Sequence, residues 1–406
     1  MHPTMFTIPY LPDWLADIKS YGVMMMIAFL TSIWMCCRRA MRSQANPDVV
    51  LNLGFIALVA GVLGARIMFV WHYWDTRFAN TPSPWGAVLD IRAGGLEFWG
   101  GPLLTIPAMY VYLKYIAKVS VRWYLDMCAP ALAWGLAITR VGCFLNGCCW
   151  GATCVDEHDP AREKAQIPWA VRFPYGSPAM IQQYHFGQLT LPKELLVTGP
   201  SGETYPLAHE YLKAAAEDNG ATHTKLMSTV TAARKALDTT DPKDGDAQKR
   251  NRETLEAANR AMRNHDNTVV GMIEAQASKY SLTPRELLTL AEHYRSKPVH
   301  PAQLYETISG VLLCWLLSIM FYYRRRHGVV LPWFLILYSI SRITLEAIRQ
   351  DNPLDVGGLT ISQAISIGTF AAGVLGLLYL YKALPLIGPG VEKFIFSEDE
   401  AQPAKR

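Results

Sequence analysis

Seven apolar runs, each about long enough to cross a bilayer, restrict this chain more than any other feature. They fall at about 21–37, 52–74, 100–117, 124–146, 301–323, 330–349 and 360–381. A hydrocarbon core of ~30 Å calls for roughly 20 helical residues, because lipid offers no partner to an unpaired peptide group. The composition agrees. Of 406 residues, 51% are hydrophobic and only 18% are charged, too apolar for a soluble chain of this length and too polar for membrane helices alone. A membrane body with one extramembrane segment is expected. The net charge of +4 is modest, and no long basic run points to nucleic acid as a partner.

Basic clusters orient the spans. Arg38, Arg39 and Arg42 follow the first; Lys114, Lys118 and Arg122 link the third and fourth; Arg324, Arg325 and Arg326 follow the fifth. Positively charged loops stay on the cytoplasmic side. The expectation is therefore an all-α polytopic membrane protein of about seven transmembrane helices, N-terminus outside and C-terminus inside. Residues 1–20 lack the basic start of a cleavable signal peptide, so the first apolar helix is expected to be retained.

This topology divides the chain into five parts. Residues 1–151 carry the first four helices of the membrane body. Residues 152–206, rich in Pro, Gly and aromatics, read as a periplasmic head with short strands and turns. Residues 207–298 have helical periodicity and mixed charge, a helical insertion in which Thr283, Pro284 and Glu286 spell a capped helix start. Residues 299–382 carry the last three helices, and 383–406 form a cytoplasmic tail.

The stretch Thr139 to Gly151 does not belong in an ordinary membrane anchor. It holds an arginine, three glycines, an asparagine and three cysteines at the end of an apolar helix. An arginine at such depth costs about 2.5–3.5 kcal/mol on insertion scales unless a polar or anionic group meets it. The topology gathers further polar groups at the outer ends of other spans: Arg66 in the second, and Arg342, Glu346 and Arg349 in the sixth. The last three, spaced i, i+4 and i+7, are expected on one helix face. Tyr21 and Gly22 open the first span, Gly94, Gly95, Gly100 and Gly101 precede the third, and His300 to Glu306 open the fifth.

The chemistry that suits these groups is a phospholipid phosphate. Guanidinium binds phosphate bidentately and keeps its charge at any working pH, and glycines let backbone N–H groups approach the same anion. The bland alternative is that Arg342 and Glu346 merely neutralise each other. Cys143, Cys148, Cys149 and Cys154 admit disulfides, buried thiols or a redox centre; their spacing fits zinc poorly, and no metal site is expected. His300 is either a satisfied structural histidine or a general base, with Tyr305 and Glu306 able to orient it.

Taken together these motifs resemble the prolipoprotein diacylglyceryl transferase family. The resemblance rests on Tyr21-Gly22, Gly64-Ala65-Arg66, the two Gly-Gly pairs, Asp126, and Arg140-x-Gly142-x-Phe144-x-Asn146-Gly147-x-x-x-Gly151. His300-Pro301-x-Gln303-Leu304-Tyr305-Glu306 and Arg342-x-x-x-Glu346-x-x-Arg349 complete it. It covers about 1–155, parts of 165–206, and 299–382, leaving 207–297 as an insertion.

The resemblance implies a bacterial inner-membrane enzyme with its site on the periplasmic side. Such an enzyme moves a diacylglyceryl group from phosphatidylglycerol to the lipobox cysteine in the signal peptide of a preprolipoprotein. It also implies that Arg140 and Arg342 stabilise phosphate, that Glu346 positions Arg342, and that Tyr21 contacts the reacting head group. Arg66, Gly100, Gly101, Asn146, Gly147, Gly151 and Arg349 then join the binding set among membrane lipids, and no cofactor is implied.

Three positions depart from the family pattern. Trp99 stands where a loop histidine is usual, Cys143 replaces an asparagine, and Cys148 replaces a glutamate. Tryptophan accepts no proton, so His300, or a thiolate beside the arginines, is expected to serve as base. Two other functions fit the same residues. One is a membrane thiol–disulfide oxidoreductase using the four clustered cysteines; the other is a non-catalytic lipid or lipoprotein binder.

Overall fold

The computed structural model describes residues 4–7, 17–43, 45–79, 81, 83–90, 94–97, 99–155, 165–199, 202–240, 245–349 and 358–383. The tail expected at 383–406 lies, but for its first residue, outside them. Two compact units divide the described residues, one built mainly from those within 4–143, 302–348 and 358–383, the other mainly from those within 144–301.

The first unit is a helical membrane body. An antiparallel pair, β1 (Thr4–Thr7) and β2 (Asp17–Lys19), precedes α1 (Ser20–Arg42); the apolar pattern of the sequence gives no sign of this pair. Next comes α2 (Pro47–His72), whose start follows from local chemistry: the Asn46 side chain accepts the Asp48 N–H at 2.8 Å and Pro47 occupies the first helical position. A π-helical turn (Trp74–Phe78) and the short α3 (Pro84–Leu89) lead to α4 (Gly100–Val111). Beyond α4, a π-helical turn (Tyr112–Ile116) precedes α5 (Val121–Asn146). After the second unit come α12 (Ala302–Tyr323), α13 (Val330–Glu346) and α14 (Ile361–Ala383).

Among the described residues five helices are long and apolar enough to cross a membrane: α1, α2, α5, α12 and α14. This is a multi-pass membrane protein. The other two expected spans form shorter helices, α4 with 12 residues running into the π-helical turn and α13 with 17. The run expected to stay helical to residue 349 ends sooner. The amides of Ala347 and Ile348 turn back to Ile343 and Leu345, so Arg349 lies beyond the helix and does not share the face of Arg342 and Glu346.

The core of this unit is built from Leu53, Leu113, Trp123, Tyr124, Met127, Leu317, Phe321 and Val330, all buried. Asp126, fully buried on α5, organises the turn between α12 and α13. It accepts the amides of Gly328 at 2.6 Å, Val330 at 2.8 Å and Leu331 at 3.2 Å, and Arg324 pairs with it at 3.3 Å. Three donated amides and one cation supply what a buried carboxylate needs. Gly328 sits at φ +94°, which a side chain rarely adopts.

The second unit is α6 (Pro178–His185), the hairpin β3 (Leu196–Thr198) and β4 (Thr204–Pro206), and five helices. These are α7 (His209–Asp218), α8 (Ala221–Thr239), α9 (Gly245–Asp266), α10 (Val269–Lys279) and α11 (Pro284–His293). The capping box expected at Thr283 and Glu286 forms. Leu212 of α7, Ile273 and Ala277 of α10, and Leu287 and Ala291 of α11 pack into one core with Tyr175, Met180 and Leu195. The loop segment and the helical insertion therefore share their interior. Two side chains fasten them: the Tyr175 hydroxyl donates to the Leu207 carbonyl at 2.9 Å, and Gln276 donates to the Leu196 carbonyl at 2.8 Å.

Candidate functional site

Four helices of the membrane body bring charged side chains together. Arg140, near the end of α5, pairs through Nε with Glu306 on the first turns of α12. The other oxygen of Glu306 accepts Arg342 Nη1 of α13 at 2.6 Å. Arg342 Nη2 lies 3.1 Å from Glu346 one turn on, and its Nε donates to Ser362 of α14 at 2.9 Å. Glu346, almost fully buried, also accepts the Thr360 hydroxyl at 3.1 Å. Two guanidinium groups from separate spans thus converge on one carboxylate, and a second carboxylate steadies one of them. In sequence Glu306 stands where it can orient His300; its position between the arginines emerges only when α5, α12 and α13 are assembled.

A small cleft opens beside these groups. Arg140, Glu306 and Arg342 form its polar end; Ala133, Leu136, Leu313, Tyr338 and Leu345 form its apolar walls. Gly310 lines it where α12 faces α5. A Cβ there would come within 2.9 Å of the Ala137 Cβ and 3.1 Å of the Ala133 carbonyl, so α5 and α12 approach closely only because that atom is missing. An amphiphile with an anionic head matches this lining. In a low-dielectric setting guanidinium groups act on such a charge more strongly than in water.

Tyr21, on α1, lies against the same half of α5. Its ring and Cα come within 3.3 and 3.5 Å of where a Cβ on Gly142 would stand, so the absence of that atom lets α1 lie against the α5 turn that follows Arg140. Arg140 Nη1 also reaches the Cys143 sulfur at 3.9 Å.

Arg66 is held elsewhere. All five of its N–H donors go to backbone carbonyls: Ala87, Val88, Asp90, Gly94 and Gly95, at 2.8–3.0 Å. The side chain clasps the loop before α4. Gly100 and Gly101 lie against α2: a Cβ on Gly64 would collide with the Gly100 carbonyl and one on Gly100 with the Gly64 carbonyl, while Gly101 faces the Gly61 carbonyl at 3.4 Å. These glycines serve a helix crossing. Trp99, at the head of α4, is exposed.

In the second unit the turn after α5 begins at Asn146 and Gly147. Gly147 has φ +77°, and a Cβ on it would sit 3.0 Å from the Phe173 ring. Its carbonyl accepts the Ala179 amide at 3.2 Å. The Gly151 amide donates to the His300 carbonyl at 2.9 Å, and the His300 amide to the Ala152 carbonyl at 3.0 Å. This fixes the His300 main chain to the end of the glycine motif, above a cluster of buried Trp150, Phe173, Ala179 and Val299. Arg349 belongs to this unit too. All eight cysteines are free thiols. Burial raises the Cys154 thiol above its usual range, with Arg172 opposing the shift, which keeps it protonated and unreactive.

Residues 9–379 match the family described as prolipoprotein diacylglyceryl transferase. Among curated proteins, the phosphatidylglycerol–prolipoprotein diacylglyceryl transferase of Rhodopirellula baltica is 26% identical over 90% of this chain and 73% of its own. The protein of that name from Photorhabdus laumondii is 25% identical over 94% of this chain and 92% of its own. Over a shorter region, 40% of this chain and 55% of the relative, the Shewanella oneidensis protein of the same name reaches 31%.

Proposed function

Because the chain belongs to the prolipoprotein diacylglyceryl transferase family, we propose that it transfers the diacylglyceryl group of phosphatidylglycerol to the lipobox cysteine of a preprolipoprotein. The cysteine sulfur attacks the glyceryl carbon that carries the phosphate. A thioether C–S bond forms, the C–O bond breaks, and glycerol phosphate leaves with the electron pair. Such a displacement needs a thiolate, an in-line approach and a stabilised leaving group.

The observation that carries this reading is the cleft whose polar end holds Arg140 and Arg342 on a shared carboxylate and whose walls are apolar. The two guanidiniums take the phosphate and the charge it gains, while Glu346 and Ser362 hold Arg342 in place. Glu306 is the positioning residue that keeps both cations aimed at one point before the lipid arrives. Tyr21 contacts the head group, with Asn146, Gly147, Gly151 and Arg349 supplying polar contacts to the substrates. Gly100, Gly101 and Arg66 act on the lipid through the loop and helix crossing they shape. His300, its main chain held by Gly151 and Ala152, accepts the thiol proton that the histidine usual at position 99 would otherwise take.

The two shorter apolar helices complete seven spans, with the N-terminus outside, the C-terminus inside and the site on the periplasmic face of the bacterial inner membrane. The acceptor, a signal peptide already in the membrane, enters laterally.

The test is incubation of the purified full chain with phosphatidylglycerol and a lipobox peptide. The expected product is the peptide heavier by one diacylglyceryl unit, absent with Arg342→Ala and with His300→Gln. No mass gain with the wild-type chain defeats the transferase reading; full transfer by His300→Gln removes that residue from the base role.

A further inference from the structure

A second arginine site lies at the far end of the same membrane body. Arg38, Arg39 and Arg42, on the last turns of α1, line a groove of about 230 Å³ with Trp34, Met35 and Tyr322. Arg39 is 6% exposed. It donates Nη1 to the Met127 carbonyl at 2.9 Å and Nη2 to the Ser318 hydroxyl at 2.9 Å, while its Nε is buried without a hydrogen-bond partner. Arg38 stacks its guanidinium 5.0 Å from the Trp34 ring. Among the described residues no carboxylate pairs with these three cations; the nearby Asp126 is taken by Arg324. Met127 stands 13 residues before Arg140 on α5, about 20 Å along the helix, so this groove is separate from the cleft at Glu306.

We infer that this groove is a second, non-substrate site for the phosphate of an anionic phospholipid. Three arguments support it. The buried Arg39 guanidinium in the groove wall, with one N–H unpartnered, fixes a positive charge there that an anion in the groove offsets. Three guanidiniums at a helix end, without counter-charge, are matched by an anion rather than by a zwitterionic head group. Trp34 and Tyr322, both exposed, are the residue types that settle at the head-group level of a bilayer, so the acyl chains of the ligand have a surface to run along.

Fluorescence of the purified full chain in neutral detergent tests this. The signal of Trp34 is the difference between the wild type and Trp34→Phe. Phosphatidic acid with brominated acyl chains should quench that signal, and brominated phosphatidylcholine at the same concentration should not. In Arg38→Gln/Arg42→Gln the quenching midpoint should rise roughly tenfold. Inorganic phosphate that competes the lipid away would identify the same anion site as open to free phosphate; failure to compete would assign it to lipid alone. Equal quenching by the two lipids, or an unchanged midpoint in the double variant, overturns the inference. The lipid comparison in the wild type decides the matter by itself should the double variant not fold.

Discussion

Arg140 and Arg342 come from helices almost two hundred residues apart in sequence, and both bind the carboxylate of Glu306. Two cations cannot be held so close in a low dielectric without an anion between them. The site therefore keeps a carboxylate between its two arginines, and with Glu346 the four groups sum to no net charge.

Replacing Glu306 by glutamine removes that anion with little change in shape. Arg140 and Arg342 then repel across a mostly buried space, and breaking such a pair costs about 3 kcal/mol. A clear drop in unfolding temperature is expected in detergent, together with loss of transfer activity; an unchanged melting curve would show that the carboxylate is dispensable to the arginines.

The helix crossing between α2 and α4 separates two glycines by their geometry. Gly64→Ala drives a methyl into the Gly100 carbonyl and to 2.8 Å from the Leu104 Cβ, which costs about 1–3 kcal/mol of overpacking. Gly101→Ala meets only the Gly61 carbonyl at 3.4 Å and should be tolerated. Thermal unfolding of the two variants side by side checks the contrast.

Tyr175→Phe strands the Leu207 carbonyl, which is held at 2.9 Å by the Tyr175 hydroxyl in the shared core of the second unit. The expected loss is about 1–2 kcal/mol. Because burial pushes the Tyr175 phenol well above its ordinary range, the hydroxyl remains a donor throughout the working pH range. Faster amide exchange in α7 and α10 would accompany the loss, and exchange identical to the wild type would show that the bond does not fasten the insertion.

The capping box at α11 predicts a pH dependence. The backbone N–H and the hydroxyl of Thr283 hold the Glu286 carboxyl below its usual value. A carboxyl whose pKa is lower in the folded chain stabilises above its unfolded pKa, and that contribution fades as pH falls through the folded pKa. Amide protection of α11 should therefore weaken below about pH 4.5, and Thr283→Ala should flatten that dependence.

Five of the seven apolar runs, as spanning helices, and the capping box were legible in the sequence because each is a short-range rule. A span is a run of apolar residues, and a cap is four neighbours. Arg140, Arg342 and Glu346 stood out for a related reason, since charge in an apolar run is costly wherever the chain folds. What the residues next to one another do not encode is which partner each finds. Arg66 and Arg140 look alike as arginines in apolar runs, yet one spends its five donors on a loop and the other meets Glu306. Gly100 and Gly101 at the head of α4 read as part of an anion cradle, and they also make the crossing with α2. Arg349 falls outside its expected helix face because α13 stops at Glu346. Periodicity fixes which residues are helical and which must be satisfied, whereas the assembly of α5, α12 and α13 alone decides that Glu306 satisfies two of them at once.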